Sequence, residues 1–269
     1  MPEVALRVGA AEWREWLWCV ADTRSLRALE LPGDVIAGEA AALLPLLTHL
    51  RLGLAHVADA VPAALGRYAS EAGLADDPAR LQALLGGLRA RLQGGVRWTS
   101  VDVGLDRLAT EGYAAGLQRR LHFLRLLIHG LEPLGVRVAV RVRWPRPFAD
   151  SHEWEWAANL LHDLADERCR LALDVVLSDL PDDVRPEALL RDCSAHLAVL
   201  RLHVPWGAGE GLPESSWAAW AAAWRRLPGP LTVVFCPPPL AAAQAPRLLA
   251  AVEAWAGLSP SGSTAVDPA

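Results

Sequence analysis

Val136-Arg137-Val138-Ala139-Val140-Arg141-Val142-Arg143-Trp144 alternates strictly, with four valines on one face and Arg137, Ala139, Arg141 and Arg143 on the other. Alternation with a period of two marks a β-strand, because successive side chains point to opposite faces of a sheet. On both flanks the period changes. Tyr113 to Leu131 upstream and His152 to Ala165 downstream repeat their apolar residues every three or four positions, which predicts helices. A short strand between two helices is the unit of a parallel sheet joined by crossover helices. If the valines meet those helices, the arginines point inward.

The same unit recurs along the chain. Further strands are expected at Ala5 to Val8, Leu26 to Leu31, Leu50 to Val57, Val96 to Gly104, Cys169 to Leu177, Leu197 to Val204 and Leu231 to Cys236. The remaining helices are expected near Glu12 to Val20, Gly38 to Thr48, Pro78 to Gln93, Arg185 to Cys193, Ser215 to Leu227 and Ala241 to Trp255, with start signals such as Asp77 before Pro78 and Ser151 ahead of Glu153. Eight strand–helix units predict an α/β protein, a single eight-stranded parallel (β/α)8 TIM barrel over residues 1–258, followed by a flexible polar tail at 259–269. An open doubly wound sheet produces nearly the same alternation. No G-x-G-x-x-G follows the early strands, which argues against that alternative and against a bound NAD.

Composition excludes whole classes of chemistry. All 26 basic residues are arginine, so no lysine amine exists to form a Schiff base or hold PLP, and no Walker-type phosphate loop is possible. The four cysteines, Cys19, Cys169, Cys193 and Cys236, contain no C-x-x-C pair and suggest neither a disulfide framework nor a thiolate zinc site. A formal charge of −5 with evenly spread arginines argues against nucleic acid as partner. Charged residues interrupt every Leu/Ala-rich stretch, such as Ala40 to Leu54, so no membrane span is expected. Met1 to Ala10 lacks the features of a signal peptide, and a cytoplasmic protein is expected. The tryptophans fall at helical spacing, as in Trp217, Trp220 and Trp224, the pattern of helices packing on a barrel.

Barrels of this kind carry their chemistry at the C-terminal ends of the strands. The inward faces there hold Glu30 on strand two, His56 on strand three, Asp102 after Ser100 on strand four, Arg141 and Arg143 on strand five, Asp174 on strand six, and Arg201 and His203 on strand seven. Charges gathered in a low-dielectric interior must be paired. Two readings fit the set: a ligand pocket, or a self-neutralised structural network. Arginines at the mouth also suit an anionic ligand. The loop Trp206-Gly-Ala-Gly-Glu-Gly211 reads either as a backbone cradle for a phosphate or as a flexible connection, and Glu210 within it disfavours an anion.

Leu171-Ala-Leu-Asp174 and Leu200-Arg-Leu-His203 resemble strands six and seven of the xylose-isomerase-like sugar phosphate isomerase and epimerase barrels. That resemblance implies a proton shift next to the carbonyl of a sugar, sugar phosphate or other small hydroxy-carbonyl compound. It also implies a divalent metal, Mn²⁺, Mg²⁺ or Co²⁺, with Asp174 and His203 at two of four ligand positions. The two outer positions, glutamates in the family, differ: strand five offers Arg141 and Arg143, and strand eight reads Thr232-Val-Val-Phe-Cys236 before three prolines. Leu177 stands where the family usually has a histidine. A depleted metal site is therefore expected, with Arg141 or Arg143 beside Asp174 in place of the cation. Glu30 and Asp102 are the candidate bases, and His56, Arg141, Arg143 and Arg201 the candidate substrate contacts. The alternative is a non-catalytic ligand-binding or partner-binding scaffold that has lost its metal. The DNA-repair branch of these barrels would require a crowded multi-metal site and a basic surface, which this sequence does not display.

Overall fold

The computed structural model describes residues 2–23, 25–58, 60–61, 78–105, 108, 112–144, 152–180, 184–205, 214–240 and 242–256. Eight parallel strands close on themselves in sequential order. They are β1 (Glu3–Arg7), β2 (Ala28–Glu30), β3 (Gly53–Val57), β4 (Trp98–Val101), β5 (Arg137–Trp144), β6 (Cys169–Val176), β7 (Leu197–His203) and β8 (Thr232–Cys236). Each is followed by a helix: α1 (Trp13–Ala21), α2 (Gly33–Leu50), α3 (Pro78–Arg91), α4 (Tyr113–Leu131), α5 (His152–Leu164), α6 (Pro186–Cys193), α7 (Glu214–Arg225) and α8 (Ala245–Trp255). The (β/α)8 TIM barrel expected from the alternation is the fold observed. The tail at 259–269, the Trp206 to Gly211 loop, Asp77 and Ser151 lie outside the described residues.

The valines of β5 face the helices. Val138, Val140 and Val142 belong to the large apolar layer between strands and helices, together with Leu171, Leu173, Leu200, Leu202, Val233 and Phe235. Ala139 belongs instead to a smaller cluster containing Ala5, Ala28, Trp98, Ala172, Val199 and Val234. These are the inward positions of the strands: Ala5 pairs in register with Ala28 and with Val234. Barrel interiors are usually filled by bulky branched side chains. Here the inner layer is mostly alanine, and long side chains occupy the space, Trp98 and the fully buried Arg201.

Among the boundaries that differ from expectation, two have clear local reasons. Strand four ends at Val101 rather than Gly104, because Asp102 turns outward and its carboxylate Oδ1 accepts the Gly104 N–H at 2.9 Å, an Asx-type turn completed by Gly104 at φ 62°. Helix α2 begins at Gly33 instead of Gly38. Its first residue lies against β3's exit, where a Cβ on Gly33 would stand 3.0 Å from the Ala60 Cα. This 18-residue helix is, by length and composition, apolar enough to cross a membrane, contrary to the expectation from its charged interruptions. In the barrel it is one of the crossover helices and buries Val35, Ile36, Leu43 and Leu47.

Candidate functional site

At the C-terminal end of the barrel the inward side chains of six strands meet in one ion-pair network. Its hub is Arg201 on β7, with no solvent exposure. Its guanidinium spans the barrel lumen to β2, donating from Nε to Glu30 Oε2 at 2.9 Å and from Nη2 to Glu30 Oε1 at 2.7 Å. Nη1 donates to Asp174 Oδ2 on β6 at 2.7 Å. A planar guanidinium offers donors in a fixed fork, which suits one two-point contact and a third bond at its side. Arg141 on β5 reaches the same oxygen from the other side, with Nε at 2.7 Å and Nη2 at 2.6 Å from Asp174 Oδ2. His56 on β3 places Nδ1 2.6 Å from Glu30 Oε2. His203 Nε2 stands 3.5 Å from Asp174 Oδ2, and Arg7 Nη1 on β1 is 3.4 Å from Glu30 Oε1.

The network holds both acids ionised despite their burial. Burial alone would push Glu30 up, but Arg201 and then His56 outweigh it, so the carboxyl stays well below the usual range. Asp174 follows the same logic: burial raises it, while Arg201, the His203 hydrogen bond and Arg141 hold it far down. Arg201 is fixed in its charged form chiefly by Glu30, against its own desolvation. With Glu30 ionised, His56 Nδ1 must carry the proton of their hydrogen bond. Within the network, two buried atoms have no hydrogen-bond partner among the described residues, His56 Nε2 and Asp174 Oδ1.

Of the eight candidate residues, Glu30, His56, Arg141, Asp174, Arg201 and His203 are therefore brought together. Asp102 and Arg143 are not part of the network. Asp102 is exposed and engaged in its turn, and Arg143, paired in register with Asp174, is exposed at the mouth. Arg7 joins the network unexpectedly. Strand one was expected to begin at Ala5, whereas it begins at Glu3. The inward set of β1 is Glu3, Ala5 and Arg7, a short alternation that the opening Met-Pro-Glu obscures.

Above the network lies a cleft of about 780 Å³, lined by Arg7, Gly9 to Ala11, Trp16, His203 and the Cys236 to Leu240 segment among others. Its floor residue Cys236 is buried, and its thiol is pushed up to about 12, mainly by desolvation that Arg201 only partly offsets. This thiol is therefore neutral.

The donor set does not fit the divalent cation that the resemblance implies. Oxygen-preferring cations need several free carboxylate oxygens. Glu30 has both oxygens committed to Arg201, and Asp174 Oδ2 is shared by two guanidiniums. Arg141 brings a positive charge against Asp174, and neutral Cys236 closes strand eight. Among the described residues no group of three or more His, Cys, Asp or Glu converges on one point.

No protein-family model and no curated protein matches the sequence. Solved structures match over nearly the whole chain. The 3-keto-D-glucoside 4-epimerase YcjR from E. coli superposes with a TM-score of 0.65 at 14% identity, covering 94% of this chain and 100% of the other. A D-psicose 3-epimerase crystallised in the presence of D-fructose gives 0.64 at 12% identity, with 95% and 99% coverage. A xylose isomerase domain protein from Planctomyces limnophilus gives 0.57 at 12%, with 96% and 98%. Identities this low speak for architecture alone: the chain shares its closed (β/α)8 barrel with these structures.

Proposed function

We propose that this chain is a metal-independent, ligand-binding barrel on the sugar-epimerase fold, holding a small hydroxylated compound in the cleft at its C-terminal mouth. The observation that carries this reading is the double capture of Asp174 Oδ2 by Arg141 and Arg201, at 2.6 and 2.7 Å for the closest contacts. A guanidinium at that locus supplies the positive charge a cation would bring, and it repels one. The test is metal content by mass spectrometry of the purified chain, with a thermal-shift series in Mn²⁺, Co²⁺, Mg²⁺ and chelator, for wild type and Asp174→Ala. Substoichiometric metal and an ion-insensitive melting temperature are expected. Near-stoichiometric metal that vanishes in Asp174→Ala would sink the reading.

A second reading, an isomerase or epimerase acting on a small hydroxy-carbonyl compound, is favoured by one observation: His203, partly exposed, faces the cleft with Asp174 behind it. Of the two candidate bases, Glu30 has both oxygens tied to Arg201 and is held ionised, so it is a poor proton acceptor, and Asp102 is committed to a turn. Proton exchange would then fall to His203. Deuterium wash-in from D₂O next to the carbonyl of a ketohexose, abolished in His203→Ala, would establish this reading; no wash-in leaves the binding function.

A further inference from the structure

The N-terminal end of the barrel carries a second concavity, at the opposite end from the cleft and the ion-pair network. It is a basin of about 550 Å³, lined by Trp98, Arg137, Arg168, Arg170 and the Pro228-Gly229-Pro230 turn among others. Its floor is the inward face of neighbouring strands. Trp98 on β4 pairs in register with Arg137 on β5, and Arg170 on β6 pairs with Ala139, two residues further along the same face of β5. On β7 the register slips beside them: Leu171 pairs with Leu197 and Ala172 with Val199, so Ala198 is an extra residue in the wall. Bulges of this kind re-aim side chains and gather at sites. The two prolines stiffen the facing turn, and Gly229 between them sits at φ 93°, a conformation that suits glycine.

The arginines at this end are of two kinds. Arg168 is held by carboxylates on every side of its fork, by Asp166 at 3.0 and 2.8 Å and by Glu132 at 2.9 Å. Arg97, beside the basin, meets Glu3 at 3.0 Å. Arg137 and Arg170 make no ion pair among the described residues. The Arg137 guanidinium lies over the Trp98 ring, 5.5 Å from its centroid, and Arg170 donates from Nη1 to the Ala195 carbonyl at 3.1 Å. A ring contact occupies a face of a guanidinium and leaves its edge, where the N–H donors lie, for another partner; a single bond to a carbonyl takes one donor of five. Glu167 also lines the basin, but it is exposed and pairs with neither arginine. What distinguishes the floor is thus two guanidiniums on adjacent strands whose donors face a ligand-sized space.

We infer that this basin is a second binding site, one that takes a small doubly charged oxyanion, a dicarboxylate or a phosphate, between Arg137 and Arg170. Two negative charges suit it because each guanidinium gains a charge-assisted hydrogen bond while the repulsion between the two cations is relieved. The site is independent of what the C-terminal cleft binds and of whether the chain holds a metal.

Isothermal titration of the full chain at low ionic strength tests it with three probes: succinate, inorganic phosphate, and succinamide, the neutral isostere of succinate. Succinate, phosphate or both should bind at least about tenfold more tightly than succinamide, the size of one net charge-assisted hydrogen bond. Arg137→Gln and Arg170→Gln should each weaken the anion about fivefold or more, whereas Arg97→Gln, the same charge change at the same end, should stay within about twofold. Added KCl should weaken binding in the wild type. Arg170 is half-buried, so if Arg170→Gln fails to fold, Arg137→Gln against Arg97→Gln and the KCl series carry the test. Neither anion tighter than succinamide overturns the inference. So does an equal loss in Arg97→Gln, which would make the effect one of overall charge, and so does binding that survives both Arg137→Gln and Arg170→Gln, which would put the anion elsewhere.

Discussion

The two ends of the barrel are built from the same material and use it differently. Strand β5 sends Arg137 to the N-terminal end and Arg141 to the C-terminal end, two turns of one alternation. At the N-terminal end Arg137 lies over the Trp98 ring, 5.5 Å from its centroid, and neighbouring Arg97 meets Glu3 at 3.0 Å with its own side chain 65% exposed. A basin of about 550 Å³ there is lined by Arg137, Arg168 and Arg170, open to water. At the C-terminal end Arg201 is fully buried, Arg7 and Arg141 are half-buried, and two buried carboxylates lie among them. Water solvates an arginine at a rim; in the lumen the carboxylates of Glu30 and Asp174 take its place. The alternation determines where the arginines point, and the acids of β2 and β6 determine which of them join a buried network.

This contrast is broken most directly at its hub. Replacing Arg201 by Met keeps an unbranched side chain and removes its three ion-pair bonds, leaving Glu30 and Asp174 buried with weakened compensation. A loss of about 3–5 kcal/mol in urea unfolding is expected, the usual cost of stripping one partner from a buried pair. A loss under about 1 kcal/mol would mean that Arg7 and Arg141 reorganise onto both acids, and that the lumen is less committed to Arg201 than its geometry indicates.

Acid pH sharpens the same comparison. Glu30 and Asp174 both titrate lower in the folded chain than in the unfolded one, where carboxyls titrate near about 4. Their contribution to stability is fully present above the unfolded value and declines as pH falls toward the folded values, because the unfolded chain then binds more protons. Between about pH 4 and pH 3 the two groups together should cost up to about 2.7 kcal/mol, at roughly 1.4 kcal/mol per group and pH unit. Urea midpoints from pH 6 to pH 3 measure this. Glu30→Gln and Asp174→Asn should each start lower and flatten the profile; an unchanged slope in both would assign the acid sensitivity to surface carboxylates.

Asp102 separates turn from chemistry at smaller cost. Its carboxylate accepts the Gly104 N–H, so Asp102→Ala should destabilise by about 1 kcal/mol in urea unfolding and leave the acid profile of the lumen carboxylates unchanged. A flattened acid profile in Asp102→Ala would return Asp102 to the network.

Much of this arrangement was legible in the residues themselves. The eight-fold alternation yields the closed barrel because strand and helix periods differ and each recurs with enough length to be counted. Period-two alternation brings Glu30, His56, Arg141, Asp174, Arg201 and His203 to one face, and the network contains all six. The departures have a common physical origin at strand ends. Asp102 follows β4 by one residue, where its side chain competes with the ladder for a backbone N–H and turns the chain out. Arg7 ends a strand only five residues long, too short for its alternation to stand out. That Arg201 would reach across to β2, as well as pair with Asp174 on neighbouring β6, depends on the volume left by Ala5, Ala28, Ala139 and Ala172, a property of the closed barrel and of no single segment.

The smallest expected effect is at the other end of β5. Arg137→Gln removes a guanidinium with the same strand, the same inward direction and the same chemistry as Arg141, yet its contacts are an aromatic face and water. A cation over a ring at an exposed site is worth less than about 1 kcal/mol, so the urea midpoint should barely move and the acid profile should keep its slope. Arg141→Gln, measured beside it, should cost more, since Asp174 Oδ2 would lose two of its three short guanidinium contacts while remaining buried. If the two variants were equally mild, burial of the carboxylate partner would not be what separates lumen from rim in this barrel, and the ranking of its arginines would have to rest on position along the strand alone.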